Sequence, residues 1–369
     1  MEENHSVLVI SNVGPHADKI QKHFEPLKEI TGQVTIARVD PAVPLDGISY
    51  IRPPPVGPKI LQAFLLFFYT LKHCFVNKTD EIVTVSLLPS GIYGLVLGTM
   101  FNKPTHHWII GSDINRYSKK YPRVTFFLLS RFDTVLVMGT KHKEYLVKNG
   151  IQAEKVKVMP GSIDIDKYQP KDDSKHYDFI WVGQMKPIKR PLLFVEALDI
   201  LHKRGYEFNA VMPGSGPLEP EVKDRIQTGS LSSFVKLPGW VEPNALVEYY
   251  HKSDIFVMTS EKDAFGFPLV EAMATGLIGI APHREDPSKG NTVDIIDDMQ
   301  SGIILSEMTA ENLADTFEVL LNDTELRERL SQNAPDVREK FSRSQVSDEW
   351  KDVFTQLDEE EIPSANSRG

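Results

Sequence analysis

The stretch from Ser260 to Gly276, S-E-K-D-A-F-G-F-P-L-V-E-A-M-A-T-G, gathers residues whose types and spacing are suited to chemistry. It begins where an apolar run, I-F-V-M-T-S (255–260), ends, and it runs into a short helix. Pro268 suits the first turn of that helix and Gly276 its end. Phe265-Gly266-Phe267 falls at the helix N-terminus, where backbone N–H groups point outward and favour an anion such as a diphosphate. Gly266 has no Cβ and lets the backbone approach that anion closely. Glu271 lies about one turn inside the helix, and its carboxylate is able to accept two hydrogen bonds from a vicinal diol, as ribose offers. Asp263 precedes the turn and is placed to face a sugar. The same two residues also fit a surface glutamate and a helix-capping aspartate, and the segment by itself does not choose.

Such a site needs elements to hold it, and the rest of the chain supplies a repeating pattern. V-L-V-I (7–10), V-T-I-A-R-V (34–39), I-V-T-V-S-L-L (82–88), H-W-I-I (107–110) and T-V-L-V-M-G (134–139) are short continuous apolar runs separated by helical stretches. Continuous runs of this kind read as strands of a parallel sheet covered on both faces. After the polar segment K-D-D-S-K-H (171–176) the pattern restarts with F-I-W-V-G (179–183), F-N-A-V-M-P-G-S-G (208–216), F-V-K-L-P-G (234–239), I-F-V-M-T-S and L-I-G-I-A-P (277–282). The helix over 190–205 is amphipathic and closes at Gly205. The fold expected is therefore α/β: two Rossmann-like, doubly wound domains, with ligands bound in a cleft at the carboxyl ends of their strands. The expected division is an N-terminal domain over 1–170, a linker over 171–176 and a C-terminal domain over 177–340. A last helix over 341–358 packs back towards the N-terminal domain, and the acidic tail over 359–369 is disordered.

Length and composition agree. The chain has 369 residues, too many for one ordinary core, and its 41% hydrophobic content excludes a disordered protein. Cys74 is the single cysteine, so no internal disulfide forms, which fits a reducing compartment. The first residues, M-E-E-N-H-S-V-L-V-I-S-N, lack a basic region followed by an apolar core and a small-residue cleavage site, so a cytoplasmic protein is expected. Ile60 to Val76 is the longest apolar stretch; Lys72 and His73 interrupt it, and it reads as a helix in a core or at a surface. The net charge of −10 is uneven: residues 1–176 carry 22 Lys+Arg and 17 Asp+Glu, leaving 19 and 34 for the remainder. Ten of the basic residues lie between Arg116 and Lys157. They mark either a surface for an anionic partner or a solvated basic face. With the apolar 60–76 segment, they would dock the protein peripherally on an anionic membrane surface. Nothing points to nucleic acid.

The Ser260–Gly276 segment resembles the signature of retaining GT-B glycosyltransferases of the family 4 type: a carboxylate, x-Phe-Gly, then Glu eight residues after the first carboxylate, followed by Ala-Met-Ala-x-Gly. Glu271 matches fully, whereas Asp263 stands where that family usually has Glu. V-M-P-G-S-I-D-I-D-K-Y-Q-P (158–170) resembles the family's linker motif. F-I-W-V-G-Q-M-K-P-I-K-R-P (179–191) resembles its Val-Gly-Arg…Lys loop, with Lys189 in the place of the lysine that binds the donor diphosphate and Gln184 in the place of the arginine. V-M-P-G-S-G-P-L (211–218) is similar to the Gly-x-Gly turn near the nucleobase, which brings in Gly214. G-N-T-V-D-I-I-D-D-M-Q-S-G-I-I-L (290–305) resembles a Gly-Gly-x-x-Glu segment, with Asp294 in the acid's place. In the N-terminal half, Gly14 sits where the family has a glycine opening onto the diphosphate. Ile110-Gly111-Ser112-Asp113 resembles its acceptor-side His-Gly-x-Asp, with Ile110 in place of the histidine.

What this resemblance implies is a nucleotide-sugar-dependent hexosyltransferase acting with retention of configuration; nothing in the sequence resembles a metal-binding Asp-x-Asp site between strands, so no metal or other cofactor is expected. UDP-sugar is preferred as donor and GDP-sugar is allowed; the acceptor is a hydroxyl of a glycan or lipid-linked glycan. Lys189, Asp263 and Asp113 take the catalytic roles. Gly14, Gln184, Lys189, Gly214, Phe265, Gly266, Phe267 and Glu271 form the donor site. Ser112, Asp113 and Arg116 form the acceptor side, where Asp113 orients the hydroxyl or, on the residues alone, serves as an N-cap or pairs with Arg116. The departures at Asp263, Gln184 and Ile110 keep a second reading in play, a catalytically silent nucleotide-sugar-binding or scaffold protein on the same fold. An oxidoreductase is disfavoured because the first strand runs into S-N-V-G-P-H-A rather than Gly-x-Gly-x-x-Gly.

Overall fold

A computed structural model describes residues 5–11, 13, 17–41, 43–111, 113–171 and 174–360. The chain divides into two compact units: residues 1–162 with 343–369, and residues 163–342.

Unit 1 runs β1 (Ser6–Ile10), α1 (Ala17–Ile30), β2 (Gln33–Ala37), β3 (Ile48–Ile51), α2 (Lys59–Val76), β4 (Glu81–Val85), α3 (Ile92–Phe101), β5 (Thr105–Ile109), α4 (Ser118–Lys120), α5 (Pro122–Leu129), β6 (Thr134–Val137), α6 (Thr140–Lys148) and β7 (Val156–Val158). Its seven strands pair in the order β3-β2-β1-β4-β5-β6-β7, and every pairing is parallel. Val7 to Ile10 and Val135 to Val137 are fully buried, as continuous apolar strands between two helical layers must be. The order in which the chain adds strands reverses between β1 and β4. Two strands escape the sequence pattern. β3 (I-S-Y-I) and β7 (V-K-V) are edge strands whose alternating composition gives no continuous apolar run.

The apolar 60–76 stretch forms α2, whose 18 residues have a mean hydropathy of 1.3. Length and composition would let this helix cross a membrane. Here it is the crossover from β3 to β4. Leu66, with Ala63, Phe67 and Leu71, packs on a core formed by Leu8, Ile10, Ile82 and Leu97. The opposite side stays open: Ile60 is 85% exposed, Phe64 56% and Phe75 70%.

Unit 2 runs β8 (Tyr177–Ile180), α7 (Pro191–Lys203), β9 (Ala210–Val211), α8 (Glu219–Thr228), β10 (Val235–Lys236), α9 (Pro243–His251), β11 (Ser253–Val257), α10 (Phe267–Ala274), β12 (Ile278–Pro282), β13 (Gly302–Leu305), α11 (Ala310–Asn322), α12 (Thr324–Asn333) and α13 (Val337–Lys340). Six parallel strands pair in the order β10-β9-β8-β11-β12-β13. The chain therefore turns outward in opposite directions on either side of the β8–β11 boundary. In an open α/β sheet the loops leaving such a boundary form the natural ligand crevice. Phe194, Leu198 and Phe317 pack α7 and α11 over Phe179 and Val257 of the sheet.

The final helix, α14 (Arg343–Glu360), returns to unit 1 and packs along α1. Arg343 reaches Glu25 at 2.7 Å, Ser347 donates to the Pro26 carbonyl at 3.0 Å, and Trp350 meets Trp108 edge-on. The first unit boundary differs from the sequence expectation. It falls after Ser162, not Pro170, because the segment that follows is bonded into unit 2. The Ile163 N–H donates to the Phe341 carbonyl at 2.9 Å, and Lys167 Nζ to the Pro243 carbonyl at 3.1 Å. Lys175 of the expected linker is docked in the same way: its Nζ donates to the carbonyls of His251 and Ser253 at 3.0 and 2.8 Å. The tail from 361 onward lies outside the described residues.

Candidate functional site

Lys189 and Asp263 lie on the two loops that leave the β8–β11 boundary, and they form an ion pair. Lys189 sits in a short turn between β8 and α7. Its carbonyl accepts from Thr259 Oγ1 at 2.7 Å, and Thr259 Oγ1 in turn accepts from the buried Trp181 indole N–H at 2.9 Å. The Glu261 N–H adds a bond to the Ile188 carbonyl at 2.9 Å. A strand-end tryptophan and a threonine thus lock the Lys189 backbone against the loop after β11. The ammonium is left to reach across to Asp263.

Asp263 is fixed from the other side. Its N–H donates to the Lys289 carbonyl at 2.9 Å, and it forms an isolated parallel bridge with Gly290. Gly290 has φ +113°, and a Cβ built there would lie 1.6 Å from the Asp263 carbonyl oxygen. Only glycine permits this approach. Gly214 does similar work on the neighbouring loop. At φ +149° its N–H donates to Gly239, and a Cβ would fall 1.9 Å from the Gly183 oxygen, so the β8 and β9 loops touch through bare backbone.

Asp263 does not cap α10. The N-cap is Gly266, in the left-handed region at φ 97°, and no side chain caps the helix. Phe265 is buried edge-on between Phe267 and Phe341, which anchors the turn and leaves only the Phe265 backbone to meet a ligand. Glu271 is not a surface residue. It is 3% exposed, and its carboxylate accepts from the Tyr250 hydroxyl at 3.3 Å. Tyr250, from α9, is itself fully buried. Gln184 is exposed on the loop after β8. In unit 2 the structure thus brings Lys189 and Asp263 into contact and sets Glu271 within the helix that follows. Asp294, the acid of the 290–305 segment, takes a hydrogen bond from the Asn291 amide.

Two residues here carry no sequence signal. Tyr250 reads as an ordinary helix aromatic. Arg284, two residues past β12, reads as a surface charge, yet it is 5% exposed. Its Nη2 donates to the Ser260 carbonyl at 3.2 Å and contacts Met258 Sδ at 3.5 Å, whereas Nε and Nη1 have no hydrogen-bond partner among the described residues. Burial lowers the basicity of this guanidinium, and the Asp263 carboxylate opposes that shift. The one usable signal was position, on a carboxyl-end loop of a parallel sheet.

The unit 1 candidates fare differently. Gly14 and Ser112 lie outside the described residues. Asp113 is 1% exposed, and among the described residues its Oδ1 accepts from the Leu87 N–H at 2.9 Å and its Oδ2 faces His107 Nε2 at 3.4 Å, not Arg116, which is exposed. His107 is held by Thr84 Oγ1 at 2.8 Å. Asp113 thus ties the loop after β4 to β5. His106 is equally internal, bonded to Glu81 at 2.8 Å. Among the described residues, no cluster of three or more His, Cys, Asp or Glu side chains has a metal-binding arrangement.

Comparison with known proteins follows this geometry. Residues 162–337, which cover nearly all of unit 2, match the family glycosyl transferases group 1. The chain is 30% identical over 243 residues to the amylovoran biosynthesis glycosyltransferase AmsK of Erwinia amylovora, covering 62% of this chain and 55% of that protein. It is 26% identical over 179 residues to the alpha-D-kanosaminyltransferase of Streptomyces kanamyceticus, covering 48% and 45%. The chain thus spans about half the length of these curated relatives. Among solved structures, HepE of Anabaena in complex with UDP superposes with a TM-score of 0.77 at 15% identity, over 96% of this chain and all of that one. The fold is GT-B, built from two Rossmann-like sheets.

Proposed function

We propose that the chain is a glycosyltransferase that moves a sugar from a nucleoside-diphosphate donor, with UDP preferred, to a hydroxyl of a glycan or lipid-linked glycan. The observation that carries this reading is the Lys189–Asp263 pair at the β8–β11 boundary, followed by an uncapped helix with a buried glutamate, inside the segment that matches the family. Departure of a nucleoside diphosphate builds negative charge, which preorganised donors stabilise best. Lys189 and the N-terminus of α10 supply that stabilisation, and no divalent metal is required. Glu271 accepts the ribose hydroxyls, and Asp263 faces the sugar. The relatives whose names specify glycan assembly, and the UDP held by HepE, support the donor class. Retention of configuration belongs to the same reading.

The test is calorimetric titration with UDP, GDP and ADP in metal-free buffer. One diphosphate binds, and Lys189→Ala weakens it by roughly 10- to 100-fold through loss of a charge-assisted contact. Binding of none of the three, or binding indifferent to Lys189→Ala, overturns the donor assignment. Binding without transfer to any acceptor in a broad panel favours the silent scaffold.

The lipid-linked acceptor rests on unit 1. Phe64 and Phe68 on α2, with Ile92, Val96 and Met100 spaced by four residues along α3, leave apolar side chains in solvent. Lys120, Arg123, Val124 and Phe127, in and just before α5, are exposed as well. Apolar side chains with basic neighbours suit a peripheral protein on an anionic, cytoplasmic membrane face. Wild type is expected to pellet with phosphatidylglycerol vesicles at low salt, and the double variant Phe64→Asp/Phe68→Asp to stay in the supernatant. A wild type that remains soluble with such vesicles removes the membrane from the reading.

A further inference from the structure

Arg284 is an anomaly that the proposed donor chemistry does not absorb. A guanidinium 5% exposed with two of its nitrogens unpartnered is costly, because a buried cation needs both a counter-charge and acceptors for its N–H groups. Its bond to the Ser260 carbonyl ties it to the loop that carries Asp263 three residues later. Asp263 is the acid it senses, and that acid is taken by Lys189. Two cations are therefore tied to the loop that carries this carboxylate, and only Lys189 is paired with it.

This arrangement conflicts with Lys189 acting on a diphosphate. An ammonium that turns to the ligand abandons Asp263, and a part-buried carboxylate stripped of its partner would resist the change. A second cation waiting below removes the obstacle. We propose that donor binding is a partner exchange, in which Lys189 leaves Asp263 for the diphosphate and the unspent Nε and Nη1 of Arg284 take over the Asp263 carboxylate. Arg284 is thus a positioning residue. It keeps Asp263 charged and fixed towards the sugar while Lys189 is engaged elsewhere. The buried setting suits this role, because the donors of Arg284 face protein and not solvent.

The exchange rests on the donor site proposed above, and a double-mutant cycle separates the two. UDP affinity is measured calorimetrically for wild type, Arg284→Met, Asp263→Asn and the double variant, with melting temperatures as a check on folding. Arg284→Met is expected to weaken UDP about tenfold in the wild-type background and less than twofold when Asp263 is already neutral, since no carboxylate then needs compensation. Arg284→Lys, which keeps the charge, restores most of the affinity. Equal weakening in both backgrounds overturns the exchange, because it would mean that Arg284 contacts the ligand itself. Unchanged UDP affinity in Arg284→Met overturns it as well, as does loss of the fold in both Arg284→Met and Arg284→Lys, which would make Arg284 a structural residue. A wild type that binds no UDP, by contrast, removes the donor site on which the exchange stands.

Discussion

Glu271→Gln lowers affinity for the nucleoside diphosphate by roughly 30-fold while leaving the protein folded. The substitution keeps the shape of the side chain and removes only its charge. The Tyr250 hydroxyl, 3.3 Å from the carboxylate, still finds an amide oxygen to donate to. No cavity opens beside the buried residues of α10, so the melting temperature stays close to that of wild type. A carboxylate accepting two hydroxyls of one diol makes charge-assisted bonds, each stronger than its neutral counterpart by about 1 kcal/mol, and losing the charge on both accounts for the expected factor. Calorimetry with UDP reads the loss directly. The parent nucleoside, uridine, should be affected as strongly as UDP, because Glu271 acts on ribose and not on phosphate. Unchanged UDP affinity would detach Glu271 from the ligand and leave it a buried partner of Tyr250.

Gly290→Ala strikes the same site from behind. A Cβ at this position meets the Asp263 carbonyl oxygen at 1.6 Å and the Asp263 carbonyl carbon at 2.7 Å, and the backbone sits at φ +113°, where side chains are strained. No rotamer relieves a clash with backbone, so the bridge between residues 263 and 290 must open. Asp263 then moves away from Lys189, and the first turn of α10 loses its support. Strain of this kind costs about 1–3 kcal/mol, corresponding to a fall in melting temperature of roughly 5–10 °C, and displacing a positioned carboxylate costs about 10²-fold in transfer rate. Rate and melting temperature should fall together. A variant with wild-type transfer would show that the Asp263–Gly290 contact is incidental to the chemistry.

The legible and illegible parts of this molecule differ for physical reasons. β1, β4, β6, β11 and β12 were visible because a strand buried on both faces must be apolar at every position. β3 and β7 were missed because a short edge strand needs no such run. Asp263, Gly266 and Glu271 were visible because a strand–turn–helix gathers them within nine consecutive residues. The role of Asp113 was not, since its partner, the Leu87 N–H, lies 26 residues away and leaves no local trace. The domain boundary failed for the same reason: residues 163–170 look like a linker until the Phe341 carbonyl pairs with Ile163. Arg284 is the extreme case. A lone arginine in a loop gives no warning that folding will bury it with two of its nitrogens unbonded among the described residues.

The return of α14 to α1 has a consequence for how the chain emerges from the ribosome. Unit 1 is built from two stretches that flank unit 2 in the sequence, so it lacks the helix that packs on Trp108 until unit 2 has been made. Unit 2 is encoded without interruption, and its ends meet where Ile163 pairs with Ser342. The second unit to be translated is therefore the first able to complete its own fold. The sheet of unit 1 has all seven strands by residue 158 yet must wait for α14, and a truncation just after Ser342 would leave the face that α14 packs on uncovered while sparing unit 2.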